Sequence, residues 1–482
     1  MNIVDPVIFH CRRTPTEAAL AAPGTTLNIM SYARLERSIN SICRKALSSG
    51  LKRGDIVALY FEDRLLHAAM ILALTRVGIV TVSGFNPKLP QGLRVNAVIT
   101  DLNFAYQAER VIPADSNWTT GDDRPIDEAH IHQARPEELC RIILTSGSTG
   151  EPKAVAITHG MLAARIARHQ YMFGNRAPYC SRTYLDLGLA SSLGFQVLIA
   201  MLWRGGTLFM PGVNDQATIN AFEFYKIQNM VSSPGGLSTM LQVYDARIPS
   251  QSRLDTVFSG GSLLPTALSE RVRARICSNL ITAYGSTETS MVATVPAHVV
   301  ANVPGGVGYV LPGIEVQIVD SNGLTLPRGK EGIVRIRSDF GVPGYYGDPE
   351  QASTSFREGW FFPGDIGRLT ADNLLVITGR EKAVINLGGD KLKPELVEEV
   401  LMAHPSVAHA AVFAVAGQSG VDELWAVVVP RGTADISALK TYCKTKLPDI
   451  FIPVNFAVTP DLPLNAMGKV ERQRLSEIAK KK

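Results

Sequence analysis

Segments of helical and of extended period alternate from Tyr32 onward, and this alternation constrains the fold more than any other feature. In "YARLERSINSICRKALSSG" the apolar residues recur every three or four positions, whereas "DIVALYF" is a compact β-rich run. "HAAMILALTRVG" and "IVTVSGFNP" repeat the same order. Each helix or sheet must bury one face on another element, so repeated alternation predicts α/β layers. A chain of 482 residues exceeds one ordinary core, which sets an expectation of two or three domains.

After Gly379 the units become smaller: a polar glycine turn in "NLGGDKLKP", a helix in "ELVEEVLMAH", and strands in "AAVFAVAG" and "LWAVVVP". Pro394 stands at the helix start with acids in the first turn, as helix N-termini prefer. The expected division is a large multi-layer α/β part over 1–380 and a smaller α+β part over 381–482, about a hundred residues long.

Composition removes several function classes. A hydrophobic content of 46% with 19% charged residues is that of a soluble globular chain, and disorder is not expected. The net charge of +4 is scattered apart from Lys480, Lys481 and Lys482, so no basic stripe marks a nucleic-acid partner. Cysteines stand at 11, 43, 140, 180, 277 and 443 without a C-x-x-C pair, which fits a reduced, cytoplasmic protein without structural zinc. The N-terminus has an early acid and no continuous apolar core, unlike a secretory signal. "LGLASSLGFQVLIAMLW" is the most membrane-like run, but it is short and carries Ser191, Ser192 and Gln196. It reads as a helix buried in the core, and no transmembrane segment is expected.

"LTSGSTGEPKAVAITHG", Leu144 to Gly160, carries the chemistry. A Walker A loop needs lysine directly after glycine and a hydroxyl next, whereas Lys153 follows Pro152 and precedes Ala154. The logic of an anion loop survives that mismatch. Gly147 and Gly150 let backbone N–H groups turn inward, and Thr145, Ser146, Ser148 and Thr149 add hydroxyl donors. Taken alone, the stretch is equally an ordinary turn between a strand and a helix.

Four further stretches decide between these readings by their order and spacing: "AYGSTET" at 283–289, "GWFFPGDIG" at 359–367, "TGREKAVINLGG" at 378–389 and "PLNAMGKVERQRL" at 463–475. With the opening loop they resemble the adenylate-forming superfamily of acyl- and aryl-CoA synthetases, nonribosomal adenylation domains and firefly luciferase. The resemblance covers nearly the whole chain. It implies a reaction in which a carboxylate attacks the α-phosphorus of ATP, anion upon anion, so the site must supply positive charge and N–H donors. ATP, Mg²⁺ and CoA are the implied cofactors, and a carboxylic acid and CoA the implied partners.

Carried over residue by residue, the resemblance puts Thr145, Ser146, Gly147, Ser148, Thr149 and Gly150 on the β- and γ-phosphates, with Lys153 anchoring the loop or adding charge. Gly261 and Ser262 would line the adenine pocket, Tyr284 would lie on the adenine face beside Gly285, and Thr287 would bind the α-phosphate. Glu288, with Thr145, would serve Mg²⁺, a hard cation that prefers oxygen. Asp365 and Arg380 resemble the ribose-binding pair. Lys382 falls at the family's hinge, about which the mobile C-terminal domain rotates between half-reactions. Lys469 would bridge carboxylate and phosphate in the first half-reaction, and Gly388 and Gly389 would flank the pantetheine channel in the second.

Some positions depart from the family pattern. Ser191 stands near the place of a histidine that acyl- and aryl-CoA ligases often carry. Ser192 occupies the place of the aspartate that pairs with an amino-acid substrate, with Asp186 too early, so an α-amino acid is disfavoured. Ala154 and Pro363 are milder changes. The leading reading is an acid–CoA ligase working through an acyl-adenylate. A ligase loading a carrier protein's phosphopantetheine needs the same residues, and a catalytically silent nucleotide-binding paralogue is the third reading.

Overall fold

The structure is a computed structural model that describes residues 1–84, 89–90, 92–104, 106, 108–121, 124–145, 152–173, 181–247, 254–381, 385–387, 390–416, 422–464 and 470–480. The alternating segments form a six-stranded sheet. In spatial order its strands are Val111–Pro113, Ala97–Thr100, Ile56–Tyr60, Val80–Ser83, Leu139–Thr145 and Lys153–Thr158. The first five are parallel, and the last turns back antiparallel on its neighbour.

The helix Arg64–Arg76 shows why these layers form. Asp63 caps it by accepting from the Leu65 and Leu66 N–H groups, and each residue from Leu65 to Arg76 is buried. A helix apolar on nearly all sides belongs between layers rather than on a surface. One apolar cluster accordingly joins this helix and Ser192–Trp203 to Val57, Leu59 and Ile143 of the six-stranded sheet and to Leu20, Leu185 and Leu208 of a second sheet. The apolar run Leu187–Trp203 thus contains a buried helix, Ser192–Trp203. Among the described residues no helix is long and apolar enough to cross a membrane.

The second sheet has 15 strands among the described residues. One half is parallel, in the order Ala18–Ala21, Thr207–Phe209, Arg182–Leu185, Asn229–Ser232, Thr256–Ser259 and Leu280–Ser286. Beyond Leu280–Ser286 the pairing turns antiparallel through Ser290–Pro296, Gly306–Val310, Leu374–Arg380, Asp365–Leu369 and Gly332–Ser338. The change of direction falls inside the sheet, where the last parallel strand runs into a hairpin, and such switch points are a usual place for a ligand in α/β proteins.

Past Arg380 the chain forms a hairpin, Ile385–Leu387 with Asp390–Leu392, and a three-stranded sheet of Val407–Ala416, Asp422–Pro430 and Asn455–Val458. Helices Pro394–Ala403, Ile436–Lys444 and Arg472–Lys480 accompany it. Leu392, Val397, Leu401, Val412, Leu424 and Leu439 build a core there that is separate from the larger ones. Polar contacts among the described residues tie this part to the rest. Lys393 Nζ lies 2.7 Å from Glu331 Oε1 and donates to Thr378 Oγ1, and Thr266 Oγ1 donates to Glu399 Oε1 over 2.9 Å.

Candidate active site

The Leu144–Gly160 stretch folds differently from an ordinary strand-to-helix turn. It joins Leu139–Thr145 to Lys153–Thr158, two antiparallel strands in which Thr145 is paired with Lys153, and the helix begins only at His159. Any phosphate held here would therefore rely on backbone N–H groups, hydroxyls and lysine charge rather than on a helix N-terminus. Ser146, Gly147, Ser148, Thr149 and Gly150 lie outside the described residues, as do Lys382, Gly388, Gly389 and Lys469.

The "AYGSTET" stretch is the hairpin between Leu280–Ser286 and Ser290–Pro296, with Thr287, Glu288 and Thr289 as its connection. The Ser286 hydroxyl accepts from the Thr289 N–H, and Ser290 takes the left-handed conformation at φ 62°, closing the turn as three-residue hairpins commonly do. Gly285 is demanded by this geometry: a Cβ there would stand 2.3 Å from the Ser290 carbonyl oxygen. The Thr287 hydroxyl makes no hydrogen bond to a described residue and is half-exposed. Gly261 has a φ of +97° with open space where a Cβ would go, and Ser262 beside it is exposed.

Asp365 and Arg380 are register partners on adjacent antiparallel strands. Arg380 Nε lies 2.8 Å from Asp365 Oδ1, and the Tyr284 hydroxyl donates to Asp365 Oδ2. Asp365 is buried, whereas half of the Arg380 side chain is exposed. Burial, reinforced by the Asp365 charge, raises the Tyr284 phenol well above its ordinary range and keeps it a neutral donor.

Glu288, in the connection of the hairpin, is a second buried carboxylate of the site. Its Oε1 accepts from the Tyr345 hydroxyl at 3.0 Å, and its Oε2 accepts no hydrogen bond from a described residue. Its backbone carbonyl accepts from Val342 N at 2.8 Å and from Arg165 at 3.4 Å. Arg165 also donates twice to the Phe340 carbonyl, at 2.9 and 2.7 Å. Burial lowers Arg165 to about 10, so this guanidinium stays charged at neutral pH. Lys153 Nζ lies 3.4 Å from both Tyr345 Oη and Ser355 Oγ, with the ammonium 4.5 Å over the Tyr345 ring.

The donor set fits Mg²⁺. Among the described residues no group of three or more His, Cys, Asp or Glu could hold a metal. Mg²⁺ is commonly held by one or two carboxylates plus substrate phosphates and water, and a buried carboxylate with one open oxygen suits that mode.

The structure thus brings Tyr284 of the hairpin's first strand together with Asp365 and Arg380, and Glu288 of its turn together with Lys153 through Tyr345. Tyr345 and Arg165 escape the sequence reading. Arg165 had one signal, a charge among the inward positions Leu162 and Ile166 of its helix. Tyr345 had none beyond its glycine- and proline-rich surroundings. Ser191, near the expected histidine place, is a helix cap that accepts from Gly194 N at 3.0 Å and donates to the Gly188 carbonyl. Asp186 accepts from the Ser232 hydroxyl at 2.8 Å and packs against Gly236, in the first turn of the Pro234–Arg247 helix.

Two buried carboxylates thus lie near the point where the parallel half of the sheet turns antiparallel, the position at which α/β enzymes commonly take a ligand. The chain belongs to the AMP-binding enzyme family, whose profile matches residues 9–346, and the profile of the family's C-terminal domain matches residues 396–469. It is 27% identical to a feruloyl-CoA synthase of Amycolatopsis sp over 486 residues, covering 96% of each chain. It is 26% identical to a 4-chlorobenzoate–CoA ligase of Arthrobacter sp over 499 residues, covering 98% of this chain and 94% of that one. Among solved structures it is similar to the o-succinylbenzoate CoA synthetase of Bacillus subtilis in complex with its acyl-adenylate intermediate. That likeness has a TM-score of 0.82 at 21% identity and covers 98% of this chain and 97% of that one.

Proposed function

We propose that the chain is an ATP-dependent acid–CoA ligase. It joins a carboxylic acid to the α-phosphorus of ATP, releases pyrophosphate, and passes the acyl group of the acyl-adenylate to the thiol of CoA, with AMP as the leaving group. The observation that carries this reading is the hairpin Leu280–Pro296, whose residues hold Tyr284 on Asp365 and Glu288 on Tyr345. One turn thereby serves both the nucleoside end and the metal end of a nucleotide. Family membership and near full-length likeness to CoA ligases support the reaction class.

Each residue then has a task. A carboxylate has about four lone-pair sites, so Asp365 can accept from ribose hydroxyls while keeping Arg380 and Tyr284. Tyr284 offers its ring to adenine beside Gly261 and Ser262. Thr287, whose hydroxyl is uncommitted, takes the α-phosphate, and the loop from Thr145 to Gly150 takes the outer phosphates with Lys153 nearby. Glu288 and Thr145 would hold Mg²⁺ together with ATP, and the ion would supply positive charge against the phosphates. Lys469 bridges the acid and the α-phosphate in the first half-reaction. The part over 381–482 then turns about Lys382 relative to 1–380, which brings Gly388 and Gly389 to the pantetheine arm.

The test is acid-dependent exchange of labelled pyrophosphate into ATP across a panel of carboxylic acids, followed by loss of free CoA thiol with any acid that supports exchange. ATP binding without exchange for any acid would make this a silent nucleotide-binding protein. Exchange with no loss of CoA thiol, but with loading of a phosphopantetheinylated carrier protein, would reassign the acceptor.

A further inference from the structure

Glu288 and Lys153 belong to different sheets and to the two ends of the phosphate site proposed above. A single side chain touches both. Tyr345 is 8% exposed and lies in the segment that follows the strand Gly332–Ser338. Its hydroxyl donates to Glu288 Oε1 at 3.0 Å, and its ring carries the Lys153 ammonium 4.5 Å from its centroid, with Nζ 3.4 Å from the same hydroxyl oxygen.

The surrounding contacts hold Tyr345 in this place. The Tyr346 N–H donates to the Ala154 carbonyl at 2.8 Å, which fixes the segment on the strand that begins at Lys153. The Val342 N–H donates to the Glu288 carbonyl, and Arg165 clasps the carbonyls of Phe340 and Glu288 from the other side. Phe356 meets the Tyr345 ring edge to face at 5.3 Å. The segment that carries the phenol is therefore bonded to both sheets, and the ring packs against Phe356.

We propose that Tyr345 is a positioning residue that couples the lysine at the phosphate loop to the carboxylate at the metal. It occupies Oε1 of Glu288 and so turns Oε2 toward the cation, while its ring and hydroxyl hold the Lys153 ammonium beside the outer phosphates. This inference rests on the ligase reading only in taking Glu288 as a ligand of the nucleotide-bound cation. A hydrogen-bond partner that orients a ligating carboxylate is commonly worth tenfold or more in metal affinity.

The experiment measures Mn²⁺ binding by electron paramagnetic resonance on full-length protein saturated with a non-hydrolysable ATP analogue. Wild type, Tyr345→Phe, Glu288→Gln and the double variant are compared, with thermal melting as the check on folding. Tyr345→Phe keeps the ring and should melt like wild type but bind Mn²⁺ about tenfold more weakly. The double variant should be no weaker than Glu288→Gln alone, because the tyrosine acts through that carboxylate. Unchanged or tighter Mn²⁺ binding in Tyr345→Phe, or additive losses in the double variant, would overturn the coupling. If Glu288→Gln itself leaves Mn²⁺ binding unchanged, the metal assignment of Glu288 fails, and the coupling with it. Should Tyr345→Phe not fold, Lys153→Met tests the same link from the other end. It should weaken both analogue binding and Mn²⁺ binding at saturating analogue, and loss of analogue affinity alone would overturn the link.

Discussion

Asp365 and Arg380 face one another across adjacent antiparallel strands, with Arg380 Nε 2.8 Å from Asp365 Oδ1 while Asp365 Oδ2 accepts from Tyr284. The buried carboxylate thus organises both a guanidinium and an aromatic ring around one point. Asp365→Asn keeps the shape and removes the charge. We expect the KM for ATP to rise about tenfold or more, the size of a lost charge-assisted hydrogen bond. The preference for ATP over 2′-deoxy-ATP should shrink as well. Pyrophosphate exchange with the two nucleotides checks this, and a variant with wild-type KM for both would remove Asp365 from the ribose site.

Gly285→Ala tests the hairpin itself. An added Cβ would meet the Ser290 carbonyl oxygen at 2.3 Å and the Met291 Cα at 2.9 Å, both backbone, so the turn that carries Thr287 and Glu288 must shift. Pyrophosphate exchange should fall by at least about a hundredfold, since displacements of about 1 Å can cost that much. Circular dichroism should show a folded chain. Near-normal exchange would show that the site tolerates a displaced turn.

His67 gives the protein an acid-sensitive core. Its Nε2 lies 2.7 Å from Ser83 Oγ, and burial, aided by the Arg141 and Arg64 charges, pushes the imidazole down to about 3. The unfolded chain takes a proton at this ring near pH 6.5 that the folded chain refuses. The stability contribution is therefore intact above pH 6.5 and declines as pH falls toward 3. His67→Gln can still donate to Ser83 but does not titrate. Between pH 6.5 and 5 the variant should lose roughly 2 kcal/mol less stability than wild type. Urea midpoints at the two pH values decide it, and parallel losses in both proteins would sink the assignment.

Lys469→Ala separates the half-reactions. A lysine that stabilises charge only as the acid meets the α-phosphate should, when removed, lower adenylate formation by about 10²-fold or more. Thioester formation from supplied acyl-AMP should remain near wild type. Equal loss in both half-reactions would count against this role.

Much of the architecture was legible in the chain. The alternation after Tyr32 became the helix Tyr32–Ser48, the strand Ile56–Tyr60, the helix Arg64–Arg76 and the strand Val80–Ser83. Pro394 does open a helix, and Leu187–Trp203 does contain a buried one. Such features follow from residues a few positions apart, through side-chain period, proline geometry and turn chemistry, and are therefore written locally. The hydroxyl- and glycine-rich loop and the "AYGSTET" stretch are legible as polar turns for the same reason.

What the sequence did not disclose depends on chain crossings. Tyr345 meets Glu288 from 57 residues away and Arg165 reaches the same residue from 123 away, and neither partner has a local pattern that names the other. The phosphate-loop stretch, legible as either an anion loop or a plain turn into a helix, runs between antiparallel strands because Thr145 pairs with Lys153. Ser191 stood close to an expected substrate contact and serves instead as the cap of its own helix. By itself the sequence determined the elements and the kinds of polar group the site would contain. Only the tertiary structure decided which of those groups share a buried space, because a polar side chain removed from water must find its partner there, and the partner is set by how distant strands and turns pack together.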